Sequence, residues 1–438
     1  MSGNFGLGWL FSSKKKAPRA KARRRDARPL RVEMLESKLP LAGNVTAVLA
    51  GDTLVLTGDA ASNAIQISGI NGLVRVIGQG TRINGQTLAQ FNGVTNINIL
   101  ETGGNDAVTL SSLSLAGTVF ARLDFATVGN DVFTAINVNL GGSLDLGTDP
   151  IDALFDVVSS AGADTVSLTN VTAGDDVYVV TGRIGAAVPG AARDSIVATR
   201  VTANNIDAIN DFSQFVTGNG PDSVVLSSLN INSRLFIDAS PDFGNSSAAD
   251  VVSISLSTID GDLDIRTDDN QNPGTSRGSD VATISSVAAT SLTLNTTGGN
   301  DVISILNSTF GAPPFGVGEF ISLINAGGTA GNDRDTVTIT NTDFFGGLDL
   351  RTGVDADYVT ITLSTFYGPT AVLPHTSINL GDGNDVLIFN SNQIDDVALI
   401  QLIGGLGTDI GYAFFNTDLF GNRAIFPQGG GFELLVSI

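Results

Sequence analysis

The stretch Gly298-Gly299-Asn300-Asp301-Val302-Ile303-Ser304-Ile305-Leu306-Asn307 joins a glycine-rich turn to an aspartate, an alternating strand and a polar corner. Related stretches occur at residues 104–110, 129–133 and 383–390. Alternation of apolar and polar residues over such a length indicates a half-buried β-strand. We name this pattern the Gly-Asp phrase, and we expect its aliphatic residues, including Val302 and Ile305, to face a core.

Gly-Asp phrases recur along most of the chain. Successive aspartates at the anchor position are 21 to 34 residues apart, which is a period typical of repeat architectures. The shortest repeats leave room for two or three short strands each. The anchor positions are Asp106, Asp131, Asp164, Asp194, Asp222, Asp250, Asp280, Asp301, Asp335, Asp357, Asp385 and Asp409.

A repeat this short cannot bury its apolar face alone. Coils stacked about 4.8 Å apart make one continuous core, with parallel strands running side by side from coil to coil. The sequence therefore predicts an all-β fold, a right-handed parallel β-helix (β-solenoid) of about 13 coils. In this respect the body resembles the pectin-lyase-like β-solenoids.

Two side-chain types recur after the first strand of the repeat. Asparagine amides at successive corners can hydrogen-bond from coil to coil, and phenylalanines three residues later are expected to stack inside the helix. The predicted corner asparagines are Asn137, Asn170, Asn307, Asn341, Asn390 and Asn416, and the predicted interior rings are Phe310, Phe344 and Phe366.

Charge divides the chain into two parts. Residues 1–38 hold 11 of the 23 Lys and Arg residues and only three acids, whereas the remaining 400 residues carry 12 Arg against 41 acids, a formal net charge of −29. An acidic body repels phosphate backbones, so the body is not expected to bind nucleic acid. There is no cysteine, which excludes a disulfide framework and thiolate chemistry. No apolar run reaches the roughly 20 residues of a membrane-spanning helix.

The basic segment ends in a short motif, Leu30-Arg31-Val32-Glu33-Met34-Leu35-Glu36-Ser37-Lys38-Leu39-Pro40-Leu41-Ala42. This motif resembles the LEPR-type segment near the start of many bacterial exoproteins, which reads approximately L-x-x-E-x-L-E-x-R-x-L-L-A. The resemblance implies export to the cell envelope or beyond. The matching residues are Leu30, Glu33, Leu35, Glu36, Leu41 and Ala42.

We divide the chain into four parts. Residues 1–42 are a disordered basic export segment, residues 43–100 the N-terminal cap and first coil, residues 101–424 the β-helix repeats, and residues 425–438 the C-terminal cap. In the cap, Asn63 takes the anchor position of a degenerate phrase. Four insertions are expected to form loops on one side of the rod, where binding surfaces usually arise: Gly182–Ala192, Asp268–Gly278, Gly311–Gly318 and Gly368–His375.

The Gly-Asp turns also suggest a cation site. The segments 404–409 and 381–387 resemble the calcium-binding nonapeptide G-G-x-G-x-D-x-U-x of RTX proteins, and that resemblance implies calcium as a cofactor, held by Asp382, Asp385 and Asp409. In that family the motif recurs every nine residues, whereas here the interval is 21 to 34 residues. The alternative is that each aspartate accepts backbone N–H bonds in its own turn.

Enzyme activity is the second hypothesis, because parallel β-helices include many polysaccharide lyases and hydrolases. Such an enzyme needs one groove in which two or three acids converge with an arginine, for which Arg266 and Arg351 are the candidates. Adjacent strand residues point to opposite faces, so an acidic doublet is weak evidence for paired carboxylates. The doublets are Asp175-Asp176, Asp268-Asp269 and Asp395-Asp396, the single histidine is His375, and the tyrosines available for sugar stacking are Tyr178, Tyr358, Tyr367 and Tyr412.

We predict no catalytic residue and expect a secreted or cell-surface bacterial protein that is structural or adhesive. Its mechanism would be presentation of loops from a stiff acidic rod to cell-envelope or extracellular-matrix components, either protein or polysaccharide. Calcium-driven folding in the manner of RTX proteins is a third hypothesis.

Overall fold

The computed structural model describes residues 43–123, 129–146, 162–181, 193–204, 212–218, 220–239, 248–267, 278–311, 321–327, 334–367, 376–394, 400–418, 432 and 434–437. Within these residues the backbone forms 37 strands and no helix. The predicted export segment, residues 1–42, lies outside them. Residues 41–438 belong to a single unit.

The N-terminal part is built from β1 (Asn44–Ala50), β2 (Thr53–Gly58), β3 (Ala64–Ile70), β4 (Leu73–Gly78), β5 (Arg82–Ile83), β6 (Leu88–Asn92) and β7 (Asn96–Leu100). Three pairs here are antiparallel, β1 with β2, β3 with β4, and β4 with β6. From the pairing of β2 with β7 onward the described ladders are parallel.

The following coils contain β8 (Ala107–Leu115), β9 (Val119–Arg122), β10 (Val132–Leu140), β11 (Leu144–Leu146), β12 (Thr165–Ala173), β13 (Val177–Val180), β14 (Ser195–Ala203), β15 (Phe212–Val216), β16 (Ser223–Ser227), β17 (Asn230–Ile231), β18 (Arg234–Asp238), β19 (Val251–Ile259), β20 (Asp262–Arg266), β21 (Val281–Ala289) and β22 (Ser291–Asn295).

The C-terminal coils contain β23 (Val302–Leu306), β24 (Thr309–Phe310), β25 (Ser322–Asn325), β26 (Thr336–Thr340), β27 (Asp343–Phe344), β28 (Leu348–Arg351), β29 (Tyr358–Thr362), β30 (Thr365–Phe366), β31 (Thr376–Asn379), β32 (Val386–Asn390), β33 (Gln393–Ile394), β34 (Ile400–Ile403), β35 (Ile410–Phe414), β36 (Thr417–Asp418) and β37 (Leu434–Ser437).

Two long sheets run along the coils, as the predicted parallel β-helix requires. Sheet A has 15 strands in the order β34-β31-β28-β25-β22-β20-β18-β15-β13-β11-β9-β7-β2-β1-β5. Sheet B contains the strands that begin after each anchor aspartate, paired in parallel from β8 to β37. Each coil therefore contributes one strand to sheet A and one longer or divided strand to sheet B.

One corner of every coil contains a residue with positive φ. Asparagine tolerates this left-handed conformation well, and the amide of Asn170 donates to Oδ1 of Asn137 at 2.8 Å as predicted. Asn390 and Asn416 were wrongly assigned to this position, because each lies one residue away from the bend. The bend residues are Ser112, Asn137, Asn170, Arg200, Ser228, Leu256, Ser286, Asn307, Asn341, Leu363, Ser391 and Phe415.

The core lies between the two sheets. Ile303 and Ile305 are fully buried, whereas Val302 is 45% exposed. The prediction that Val302 faces the core was wrong because side chains alternate along a strand, so that residues 302 and 305 point to opposite faces. The predicted aromatic stack is confirmed: the ring of Phe344 lies 5.6 Å from that of Phe310 and 5.5 Å from that of Phe366.

The predicted insertions lie outside the described residues, apart from their ends at Gly311 and Gly278. The flanking strands nevertheless locate their attachment points. Two insertions follow sheet A strands (β13 and β20), and two follow short sheet B strands (β24 and β30). That the insertions form loops on one side of the rod stays a prediction.

Candidate functional site

The anchor aspartates form one continuous hydrogen-bonded column, which we name the aspartate ladder. The backbone N–H of Asp280 donates to Oδ1 of Asp301 at 2.9 Å, and the N–H of Asp301 donates to Oδ1 of Asp335 at 3.0 Å. The same bond joins each consecutive pair from Asn63 to Asp409, at 2.7 to 3.0 Å. All twelve predicted anchor aspartates belong to the ladder, and none is more than 6% exposed.

Each ladder carboxylate supplies an acceptor that the turn cannot provide. The carbonyl of Asp301 accepts the N–H of Thr336 in the next coil, which is an ordinary parallel-sheet bond. At the anchor residue the chain enters from a turn, and its buried N–H needs another partner. The side chain of the next aspartate fills that role. Each ladder aspartate therefore accepts a backbone N–H as expected, but the donor is the anchor residue of the preceding coil rather than a residue of its own turn.

The asparagine before the anchor bonds in the opposite direction. Oδ1 of Asn300 accepts the N–H of Arg334 in the following coil at 2.8 Å, and Oδ1 of Asn384 accepts the N–H of Thr408 at 2.9 Å. The two side chains of Asn-Asp thus connect a turn to both of its neighbours. This geometry explains why the phrase Gly-Asn-Asp recurs in the sequence.

Burial raises the pKa of several ladder carboxyls. The pKa of Asp301 rises to about 10 because the group is desolvated and because Asp280 and Asp335 lie next to it. Burial likewise raises the pKa of Asp280 and of Asp385 to about 7 each, and that of Asp194 to about 6. A column of closely spaced carboxylates is more stable when some members hold a proton.

The three residues predicted to bind calcium have backbone partners. Oδ1 of Asp382 accepts the N–H of Leu406 at 3.2 Å, and Asp385 and Asp409 are ladder members. No group of three or more acids or histidines among the described residues has the arrangement of a metal site. The carboxylates thus have a structural role that needs no cation, and calcium binding stays a prediction.

A polar groove of about 330 Å³ lies on the outer face of sheet A. Arg351 donates from Nε to Oδ1 of Asp349 at 3.1 Å and from Nη2 to Oδ2 at 2.5 Å, so that the pair is bidentate. The next two coils add Ser377, Asn379 and Gln401 in register with this pair. The groove is lined by Ile321, Leu348, Asp349, Arg351, Ser377, Asn379 and Gln401.

The two arginines predicted for an active site share one outward column but do not converge. Register places Arg266 beside Asn295, Asn295 beside Asn325, and Asn325 beside Arg351. Three coil steps separate the arginines by about 14 Å. Arg266 instead meets Asp264 at 3.3 Å, and Arg234 meets the same carboxylate at 2.7 Å.

The two members of the doublet Asp175-Asp176, which precede β13, have different hydrogen-bond partners. Asp175 accepts a bond from Ser143 at 2.9 Å, whereas Asp176 accepts one from the hydroxyl of Tyr178 at 3.2 Å. Burial, and then the charge of Asp176, raises the pKa of Tyr178.

Two of the other tyrosines lie against phenylalanine rings. Tyr367 stacks on Phe345 at 4.3 Å, and Tyr412 lies 5.8 Å from Phe414, while Tyr358 is 41% exposed on sheet B. His375 and the doublets at residues 268–269 and 395–396 lie outside the described residues.

Sequence reasoning missed the groove because Asp349, Ser377 and Gln401 belong to three strands without a shared motif. The pairing register alone brings them together. The recurring pattern leucine-x-leucine in sheet A marks the inward positions, so that the residues between them are the outward ones.

No helix of the described residues is long and apolar enough to cross a membrane. Comparison of the chain with protein-family models, with characterised proteins and with solved structures finds no match in any of the three.

Proposed function

We propose that this chain is an exported, non-enzymatic structural or adhesive β-solenoid, and that the groove on sheet A is its binding surface. The observation that carries the proposal is the distribution of polar groups over three consecutive coils, from Asp349 and Arg351 through Ser377 and Asn379 to Gln401. Groups repeated at about 4.8 Å along the axis suit an extended polar ligand. The ligand class is a polysaccharide or extended polypeptide of the cell envelope or matrix.

The rest of the coil supports a scaffold role. An unbroken ladder from Asn63 to Asp409 ties every coil to the next, and each coil contacts chiefly its neighbours, as in other repeat proteins. Export and a place at the cell surface follow from the motif in residues 30–42. Because the same bonds hold the coils together without calcium, we expect the far-UV circular dichroism of the protein in EDTA to keep its full β-sheet signal. A disordered chain in EDTA would support calcium-driven folding instead.

Glycoside hydrolysis requires two carboxylates at a defined separation. Among the described lining residues of the groove, Asp349 is the single acid, and it is already paired with Arg351. A polysaccharide lyase or hydrolase is therefore only the second candidate. The observation that favours it is the presence of an acid and an arginine in one groove.

Co-sedimentation of the full chain with insoluble cellulose, chitin and peptidoglycan tests both candidates. We expect binding to at least one polymer, a loss of more than fivefold in affinity for Arg351→Gln, and wild-type affinity for Arg334→Gln, whose side chain is exposed away from the groove. No soluble sugar should be released. Release of unsaturated or reducing sugars that Asp349→Asn abolishes would replace the adhesive proposal with the enzymatic one.

Equal binding by Arg351→Gln and wild type would remove the groove from the proposal. Absence of binding to all three polymers, together with absence of product, would reject polysaccharide as the ligand class.

A further inference from the structure

On the outer face of sheet B, the part of each coil between the ladder aspartate and the bend carries no charge. Its surface is formed by the first, third and fifth residues after each ladder aspartate, in three columns that run through twelve coils. None of these 36 positions holds Asp, Glu, Lys or Arg, and 20 hold Ser or Thr. The body as a whole has a formal charge of −29, so this face, which we name the neutral face, differs sharply from the remainder.

Stacking alone does not exclude charge from outward columns. On sheet A, Asp238 and Arg266 occupy adjacent rungs of one outward column, and Asp264 lies in the neighbouring column with Arg234 beside it. Opposite charges on adjacent rungs are favourable, and sheet A uses such pairs. The absence of charge therefore distinguishes sheet B from sheet A within the same coils.

The neutral face also concentrates exposed apolar side chains. Of the 16 large apolar residues exposed in the described part of the chain, seven project from the three columns, Leu434 extends the first column by one strand, and three more lie at the bend beside them. Parallel sheets are rarely left open to water on one face, and the central part of protein interfaces is depleted in charge. The seven are Val132, Ile136, Val197, Val225, Val302, Leu306 and Tyr358, and the three at the bend are Leu256, Leu363 and Phe415.

Hydroxyl groups on the neutral face are partly satisfied within it. Thr340 and Thr362 share a hydrogen bond of 3.2 Å between their hydroxyls, and Ser255 donates to Ser227 at 3.2 Å. Both bonds run between adjacent coils in the plane of the sheet. Covering such hydroxyls costs less than covering unpaired ones, because they keep a partner when water leaves.

We infer that the neutral face is a dimer interface that packs against the same face of a second copy of this chain. The charge distribution favours a second copy in this orientation. The acidic surfaces of two bodies repel each other, whereas their two neutral faces do not. The size of the neutral face also fits a dimer interface. Twelve coils spaced about 4.8 Å apart, each contributing five residues of about 3.3 Å, give a face of about 900 Å² per copy. Two copies then bury about 1,800 Å², within the range of stable complexes.

A two-fold axis that lies in the plane of the interface and crosses the rods at the middle of the face makes the interface self-complementary and sets the two rods antiparallel. The middle lies between the sixth and seventh ladder coils, where Ser253 and Thr283 are central. Ser253 of one copy would then lie opposite Thr283 of the other. Packing through sheet B leaves the groove of sheet A accessible on both bodies, and the inference does not depend on the proposed function.

Sedimentation equilibrium of the full chain at micromolar concentrations tests the dimer. We expect a dimer for the wild type at both low and high salt. A dimer that dissociates at high salt would overturn the inference, since it would indicate contact between the basic residues 1–38 and an acidic body. A monomer at all concentrations, or a monomer that instead sediments with crystalline cellulose, would also overturn it.

Charged variants then locate the interface. Ser253→Asp with Thr283→Asp, and Ser253→Lys with Thr283→Lys, are each expected to be monomeric, and their equimolar mixture is expected to restore the dimer. Val48→Asp with Thr57→Asp places the same charge on exposed positions of sheet A and should leave the dimer intact. Restoration by mixing shows that the charged chains are folded, whereas a dimer in the Asp variant alone, or no restoration on mixing, would refute the assignment.

Discussion

Replacing Asp301 by asparagine is expected to stabilise the protein, and increasingly so as pH rises. The pKa of this carboxyl is raised by burial and by the neighbours Asp280 and Asp335, from an ordinary value of 3.8 to about 10. The folded state therefore holds a proton that the unfolded state releases above pH 3.8. Stability is fully present below that pH and falls by about 1.4 kcal/mol per pH unit until the folded pKa is passed.

The raised pKa of Asp301 and the hydrogen bonds of its side chain give the size of the change in stability. Keeping Asp301 protonated at pH 7 costs about 4 kcal/mol. The asparagine amide retains Oδ1 for the N–H of Asp280 and avoids that cost, although a buried amide hydrogen without a partner costs about 1–3 kcal/mol. We expect a net gain of about 1–3 kcal/mol at pH 7, and little or no gain at pH 4.

Urea denaturation of the full chain, followed by far-UV circular dichroism at pH 4, 6 and 8, measures this difference. Asp343→Asn, on the outward side of β27 and outside the ladder, is the matched control and should have a stability close to that of wild type. Asp301→Leu also avoids that cost but removes the acceptor, so it should be less stable than Asp301→Asn at all three pH values. The reasoning is refuted if Asp301→Asn is less stable than wild type at pH 8, or if its effect is the same at every pH.

Two further substitutions test the close stacking of coils and the aromatic core. Gly407→Ala should destabilise the protein by more than about 3 kcal/mol, because φ is +144° and a Cβ would lie 1.4 Å from the carbonyl oxygen of Gly383. Gly51→Ala is the control, since φ there is +67° and the space around the Cβ is open, and it should cost about 1–2 kcal/mol. Hydrogen exchange of β35 should accelerate only in the first variant, and equal exchange in both would contradict the stacking argument. Phe344→Ala should cost about 3–5 kcal/mol, since the buried ring contacts two others, and a loss in the denaturation midpoint too small to measure would show that the stack closes around the gap.

The fold was predictable because every coil repeats the same local rule. Alternation in residues such as Ile303 and Ile305 marks the inward face, and the anchor aspartates mark the start of each sheet B strand. Because the pattern occurs twelve times, an exception in one coil does not change the fold that the other coils predict. A prediction from one phrase alone is less reliable, as Val302 shows. If the inward and outward positions of a single strand are exchanged, its side chains are assigned to the wrong face.

The candidate site was less predictable for a physical reason. Groove residues such as Asp349, Ser377 and Gln401 are separated by more than 20 residues each and come together only through strand register. Insertions of different length between coils hide that register in the sequence. The ladder bond was likewise missed, because a carboxylate in a turn gives no sign in the sequence of whether it bonds within its own turn or to the next.

Periodicity also explains why this protein combines protonated acids inside with a neutral face outside. A residue type that recurs once per coil becomes a column with spacings of about 5 Å, at which like charges repel by about 1 kcal/mol even in water. The repulsion grows in a medium of lower dielectric constant, so the interior column relieves it by binding protons, as at Asp301. Sheet A relieves it by pairing acids with arginines, as at Asp264. The neutral face of sheet B avoids it by omitting charge, and so is the surface that another acidic body can approach most closely.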